Sequence, residues 1–307
     1  MDLATDYDEI FKNKMVVITG VARSGTSIVG KIIGSFENAH YLFEPAFFYL
    51  IPPLIKEKKL SKKEGGDLLK SILFEDFFLQ MLHGRYINFN KNDDSYIGNY
   101  VDVNNVKSRW EQFERKVDVM DELEKGDYFF VLKMPDIQPF YNLLYDYLPE
   151  VKFVELVRDG NNVISSSIRR DFYSETDLNE RLVMWSNRID DLRIPWFIDQ
   201  KYKKLFRKWN HQTRVAHIWR IQTQCGLDFA SKNKNILRFK LEQFAKSPND
   251  FTKEVEKFLR RKRTEITNKN IKSVKTFKQR VYPDNTPDVL SPEKEKFISL
   301  RKKLGYL

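Results

Sequence analysis

Hydrophobic patterning begins clearly at Met15-Val16-Val17-Ile18-Thr19, a β-branched apolar run that stops at Gly20. A short continuous run of this kind predicts a strand buried on both faces, and the glycine predicts a tight turn after it. Apolar residues then recur at Ile28, Val29, Ile32, Ile33 and Phe36, one stripe of a helix. The same change of period returns downstream. YFFVLKM (128–134) and VKFVELV (151–157) read as strands, with a helical NLLYDYL between them. NILRF (235–239) reads as a further strand and FTKEVEKFL (251–259) as a helix. Strands alternating with helices predict an α/β fold, a single domain built on a P-loop-like central parallel sheet flanked by helices.

The remaining chain is less regular. Helices are expected near residues 66–82 and 105–124, within an insertion at about 46–127 that is expected to bind the acceptor of any group-transfer chemistry. Residues 200–231 predict one long amphipathic helix or a pair, and the RKRTEITNKNIKSVK run near 261–275 reads as a basic, mobile connection. The tail LSPEKEKFISLRKKLGYL predicts a helix started at Ser-Pro and closed by Gly305.

Composition narrows the class. With 307 residues, 41% of them apolar, the chain can bury a sizeable core. No window approaches eighteen uncharged apolar residues and the start MDLATDYDEIFKNK lacks a signal pattern, so neither a membrane span nor secretion is expected. A single cysteine, Cys225, permits no internal disulfide and fits a cytoplasmic setting. The formal charge of +10 suits an anionic ligand, although the excess is spread over the whole chain. His40, His83, His211 and His217 show no ligand spacing, so no metal is expected. The aromatic residues, including Trp185, Trp196, Trp209 and Trp219, read mainly as core, with one ring free to stack on a base.

The candidate chemistry starts at VITGVARSGTS (17–27). Between a strand and a helix, Gly20 and Gly25 let backbone amides close on an anion at the positive end of a helix dipole. Thr26 and Ser27 add hydroxyls, and Arg23 adds charge. The lysine that reaches β- and γ-phosphates in nucleoside triphosphatases is missing, with Thr26 in its place, so a single phosphate at this spot is the better fit. In VELVRDGNNVISSSIRR, Arg158 ends a strand and Ser166 follows eight residues later, so arginine and hydroxyl can converge on a second phosphate. A salt bridge of Arg158 to Asp159 or a surface carboxylate is the plainer alternative. In HYLFEPAFF, Glu44 ends a strand before Pro45, which should hold it extended. There, partial burial beside Phe43, Phe47 and Phe48 would lift its carboxyl towards the range of a general base. A salt-bridged strand-end glutamate is the competing reading.

Taken together, these stretches resemble the sulfotransferases that use 3′-phosphoadenosine 5′-phosphosulfate (PAPS). GVARSGTSIVGKII is similar to their 5′-phosphosulfate loop and LVRDGNNVISSSIRR to their 3′-phosphate motif, while YLFEPAFF resembles the carbohydrate branch. LKMPDIQPFYNLLYDYLPEVKFVELVRD, LRFKLEQFAKSPNDFTKEVEKFL, LSPE and LGY resemble later family segments in the same order. The resemblance implies that Arg23, Ser24, Gly25, Thr26 and Ser27 hold the 5′-phosphate, and that Arg158 and Ser166 hold the 3′-phosphate. It implies Glu44 as catalytic base, Arg23 as a further catalytic residue, Lys133 as an assisting residue whose plainer reading is a strand-end lysine in solvent, adenosine 3′,5′-bisphosphate (PAP) as product and no metal. The acceptor implied is a hydroxyl on a glycan or glycolipid, with a small alcohol or phenol also open. By register Ser165 and Ser167 fit the phosphate role less well, and Glu242 is expected to be structural. Gly160 stands where the family has proline, and residues 46–127 match no recognised pattern. Lys275, Lys278 and Arg280 read as solvated charge near the nucleotide. Two other readings remain: a P-loop kinase or hydrolase with an altered loop, and a basic polyanion-binding module. The scattered lysines argue against nucleic acid as partner.

Overall fold

A computed structural model of the chain describes residues 7–106, 113–148, 150–180, 186–189, 192–274 and 282–307. Its strands are β1 (Met15–Gly20), β2 (Ala39–Phe43), β3 (Phe129–Lys133), β4 (Lys152–Val157), β5 (Ser186–Ile189), β6 (Leu192–Pro195) and β7 (Ile236–Lys240). Five form one sheet in the order β2-β3-β1-β4-β7, every pair parallel, and β5 and β6 form a separate antiparallel hairpin. The inner strands β1, β3 and β4 are apolar almost throughout because helices cover both faces of the sheet.

Alternation along the strands divides the core. Val17, Leu42, Phe130, Leu132 and Phe153 pack with the helices Phe47–Lys56, Lys62–His83 and Tyr141–Tyr147. Val16, Ile18, Val131, Val154 and Leu156 pack on the other face with the helices Thr26–Gly34, Leu241–Lys246, Pro248–Leu259 and Glu265–Val274. A third cluster joins the helices Gly160–Ile168, His211–Ala230 and Glu293–Lys303 through Val163, Ile164, Trp219, Phe297 and Leu300, with Ile194 of β6.

Topology decides where a ligand can sit. From β1 the chain crosses to the edge at β2, returns to β3 beside β1, and then passes to β4 on the other side. Such a reversal opens a crevice at the carboxyl ends of the strands. The register sets Phe43 and Ile18 beside Lys133, and Gly20 beside Leu156. Val21, Glu44, Met134 and Arg158 therefore leave the sheet at one common rim.

Two expectations about the chain change. The 261–275 run is no loose connection: residues Glu265–Val274 form a helix whose Ile271 and Val274 are buried. It is locked to the helix Thr26–Gly34 by Thr264 and Thr267 hydroxyls donating to the Ser35 carbonyl, and by the Asn270 amide donating to the Lys31 carbonyl. The second helix of the insertion covers Lys116–Lys125, with 3-10 turns at Ile97–Asn99 and Val103–Asn105 before it. The 200–231 stretch is a pair, Gln200–Lys208 and His211–Ala230. No described helix is long and apolar enough to cross a membrane. Trp185, Lys275, Lys278 and Arg280 lie outside the described residues.

Candidate active site

The loop after β1 is shaped by positions that only particular backbones satisfy. Gly20 has φ 153°, and a Cβ there would lie 2.4 Å from the Leu156 carbonyl oxygen. Gly25 has φ 89°, and a Cβ there would meet Leu241 at 2.5 Å. Between them Arg23 adopts φ 75°, a costly conformation for a side chain with Cβ. Gly25 also stands at the N-cap of the helix Thr26–Gly34, and no side chain caps that end. The helix thus presents its positive end to the crevice.

Asp136 holds this loop in place. It follows β3 with φ 62°, accepts the Ala22 amide at 2.7 Å on one oxygen, and accepts the Tyr173 hydroxyl at 2.8 Å on the other. Burial pushes its carboxyl up to about 6, against the pull of those hydrogen bonds and one from Gln222. The sequence offered a signal for it, an aspartate after Lys-x-Pro at a strand end, which the motif reading passed over.

Arg158 approaches the loop from β4. It is buried, and its Nη1 donates to the Arg23 carbonyl at 2.7 Å. Arg23 Nε in turn donates to Ser166 Oγ at 3.2 Å. Ser166 lines the cavity while Ser165 and Ser167 do not; Ser165 receives the Asn285 amide at 2.6 Å. Burial first, then Arg170, Arg158 and Arg169, hold the Arg23 guanidinium below its ordinary value, the mark of positive charge crowded without its counter-ion. Among the described residues Arg158 pairs with neither Asp159 nor another carboxylate. Asp159 is taken by Arg301 at 2.7 and 3.0 Å. Glu242 receives the Asp159 amide at 3.3 Å and the Tyr306 hydroxyl at 3.4 Å, a framework role. Gly160 also finds its reason, since a Cβ would sit 2.5 Å from Phe297 and 2.8 Å from Trp219.

Tyr282 covers the arginines. The Arg158 guanidinium lies 5.6 Å from its ring centroid and that of Arg169 5.5 Å, and Arg169 donates to its hydroxyl at 3.0 Å. Partial burial would raise the Tyr282 phenol, yet hydrogen bonds and charge from Arg169 and Arg158 bring it below the usual value. No local pattern announced this residue. The rings lining the cavity are Tyr49, Phe172, Tyr173 and Tyr282; Trp196, Trp209 and Trp219 do not line it, and Trp219 is wholly buried under Gly160.

At the β2 and β3 ends, the extended conformation expected of Glu44 is overturned. Its φ is 48°, left-handed. Its amide still donates to the Lys133 carbonyl at 2.9 Å, so the turn begins without breaking the ladder, and its carboxylate folds back onto the Lys133 ammonium. Lys133 is buried rather than solvated, and lies 4.3 Å from the Phe43 ring centroid. All these groups face one cavity of about 910 Å³, lined by Arg23, Gly25, Thr26, Ser27, Glu44, Lys133, Arg158 and Ser166 among others. Ser24 is the exception; its side chain is fully buried beneath the loop.

The cavity gathers the open end of a helix, arginines and a carboxylate, an arrangement that can hold an anionic donor beside a base. The sulfotransferase family model matches residues 16–265, and the chain belongs to that family. Family membership disfavours both the kinase or hydrolase and the polyanion-binding readings. Among solved structures, the chain is similar to the sulfotransferase domain of the Synechococcus PCC 7002 olefin synthase, at 16% identity over 95% of this chain and 94% of that one, TM-score 0.49. A Mycobacterium avium sulfotransferase aligns at 12% identity over 97% and 79%, TM-score 0.47. A mouse sulfotransferase complexed with PAP aligns at 10% identity over 93% and 75%, TM-score 0.39. No curated protein sequence matches the chain.

Proposed function

We propose that the protein moves a sulfuryl group from PAPS to an acceptor hydroxyl, with Glu44 as general base and PAP as product. The reading rests above all on one observation: the uncapped loop helix, the Arg23, Arg158 and Ser166 cluster, and the Glu44 and Lys133 pair line the same cavity. The residues fit such a donor. Thr26 and Ser27 amides and hydroxyls with Gly25 and Arg23 take the 5′-phosphate, whereas the Ser24 amide is held by the Val21 carbonyl at 3.0 Å within the loop. Arg158 and Ser166 take the 3′-phosphate, with Tyr282 closing over the arginines.

In the transfer step the acceptor oxygen bonds to sulfur while its proton passes to Glu44. The bond between sulfur and the oxygen of the 5′-phosphate breaks, and PAP leaves with the electron pair. Lys133 begins in contact with Glu44. A sulfate brought beside it draws the ammonium towards the sulfuryl oxygens and frees the carboxylate to accept the proton. A sulfuryl group carries less negative charge than a phosphoryl group, so arginine and amide dipoles suffice for it and no metal ion is required.

The acceptor in this reading is a carbohydrate or glycolipid hydroxyl, following the Leu42-Phe43-Glu44-Pro45 run. The insertion at about 46–127 forms its side of the site, supported by Tyr49 and Asp94, which both line the cavity. The test is incubation with sulfur-labelled PAPS and a panel of oligosaccharides and phenols, with PAP binding measured separately in EDTA. Label appearing in an acceptor with wild type but not with Glu44→Gln supports the reading. Equal transfer by both proteins removes Glu44 as base, and failure to bind PAP removes the donor assignment.

A further inference from the structure

Arg23, Lys133, Arg158, Arg169, Arg170 and Arg193 supply the positive charge of the cavity. Four of them are engaged: Arg23 with Ser166, Arg158 with the Arg23 carbonyl, Lys133 with Glu44, and Arg169 with the Tyr282 hydroxyl. Arg170 is exposed to solvent. Arg193 differs from all five. Its Nη1 is buried and finds no hydrogen-bond acceptor among the described residues.

The fold aims this side chain deliberately. On β6, Leu192 and Ile194 are buried in the core formed with Val163 and Trp219, whereas Arg193 and Pro195 line the cavity. That is the two-residue alternation of a strand with one face on the core and one on the site. A charged N–H removed from water without an acceptor is costly, so a guanidinium left this way in a cavity implies an anion that arrives with a ligand. The donor's two anionic ends are already matched by the loop amides with Arg23 and by Arg158 with Ser166. Glu44, Asp94, Asp136 and Asp177 also line the cavity, so an anionic acceptor needs a fixed cation to enter it.

We propose that the acceptor is an alcohol that also carries an anionic group, a carboxylate or a phosphate, and that Arg193 binds that group. The inference rests on the sulfotransferase reading and adds to it the chemical class of the acceptor. Arg193 is then a specificity residue: it holds the acceptor by a group remote from the hydroxyl that reacts, and bidentate pairing with a planar or tetrahedral oxyanion suits a guanidinium better than an ammonium.

The experiment saturates wild type and Arg193→Gln with PAP and titrates each by calorimetry with three matched pairs. These are galacturonate and its methyl ester, 4-hydroxyphenylacetate and its amide, and galactose 6-phosphate and galactose. Wild type should prefer the anionic member of at least one pair by about ten-fold or more, and Arg193→Gln should cut that preference to about two-fold. The first two pairs report a carboxylate and the third a phosphate. Arg193→Lys, which keeps the charge but not the fork, should retain part of the preference and serves where the glutamine variant does not fold. No preference in any pair with wild type, or a preference untouched in both variants, overturns the proposal. So does a loss of PAP affinity in Arg193→Gln like that of Arg158→Ala, which would assign Arg193 to the donor. A wild type that binds no PAP at all is a different failure and removes the donor reading itself.

Discussion

Two cation and carboxylate pairs stand on the same rim of the sheet and are handled in opposite ways. After β4, Arg158 and Asp159 are neighbours in sequence, yet Asp159 is drawn off by Arg301 and Arg158 turns to the loop carbonyl. After β2 and β3, Glu44 and Lys133 come from distant segments and are bound to each other. The first arrangement leaves a buried arginine without a carboxylate among the described residues, and in the proposed function this is a nucleotide grip organised in advance. The second keeps Glu44 and Lys133 mutually neutralised, and in the proposed function the pair parts when a charged group competes for the lysine. Both arrangements thus combine one cation with one carboxylate, and the difference lies in which partner each carboxylate finds.

The sharpest way to break this comparison is at the gated pair. Glu44→Gln should lower kcat by roughly 10²–10⁴-fold, the range for a lost general base, while PAP binds as in wild type. Steady-state transfer alongside calorimetry separates the two effects, and a parallel loss of PAP affinity would mean that the pair belongs to the grip. At the preorganised end, Arg158→Ala should weaken PAP by about 100-fold, or about 2.7 kcal/mol, the scale of a lost charge-assisted contact. Adenosine 5′-phosphate, which lacks the 3′-phosphate, should lose far less, and equal losses for both nucleotides would contradict the assignment.

Gly160→Ala tests the scaffold that separates Arg158 from Asp159. The new Cβ would press on Phe297 and Trp219, and overpacking of this kind should cost about 1–3 kcal/mol in urea unfolding. A neutral result would mean that the close approach relaxes freely. The mildest effect is expected at Asp136. Its folded carboxyl titrates near 6, above its unfolded range, so the contribution it makes is full at low pH and lost as pH rises through about 6. Wild type should therefore lose melting temperature relative to Asp136→Asn between about pH 4 and 6, because the amide has no proton to give up. Parallel melting curves over that window would show that burial does not perturb the group.

The central sheet was legible because strands buried on both faces need unbroken apolar runs, and residues 15–20, 129–133 and 152–157 carry them. The basic run at 261–275 was misread because its charges dominate the composition. Its helix depends on Thr264, Thr267 and Asn270 reaching Ser35 and Lys31, contacts with no trace in local periodicity. The insertion was the least legible region, since its helices pack by burial of Phe48, Ile51, Leu69 and Phe77 rather than around a shared motif.

By itself the sequence determined the strand-to-helix turn at Gly20 and Gly25, the eight-residue spacing of Arg158 and Ser166, and the place of Glu44 at a strand end. Each depends on interactions within a few residues, where sterics and helical or strand period leave little choice. Only the tertiary structure decided that Arg301 takes Asp159, that Asp136 carries the loop, that Glu44 turns left-handed onto Lys133 and that Arg193 is left facing the cavity. Those outcomes depend on which charges the parallel register brings to one rim from segments far apart in the chain, and that competition among partners is settled in space, not along the sequence.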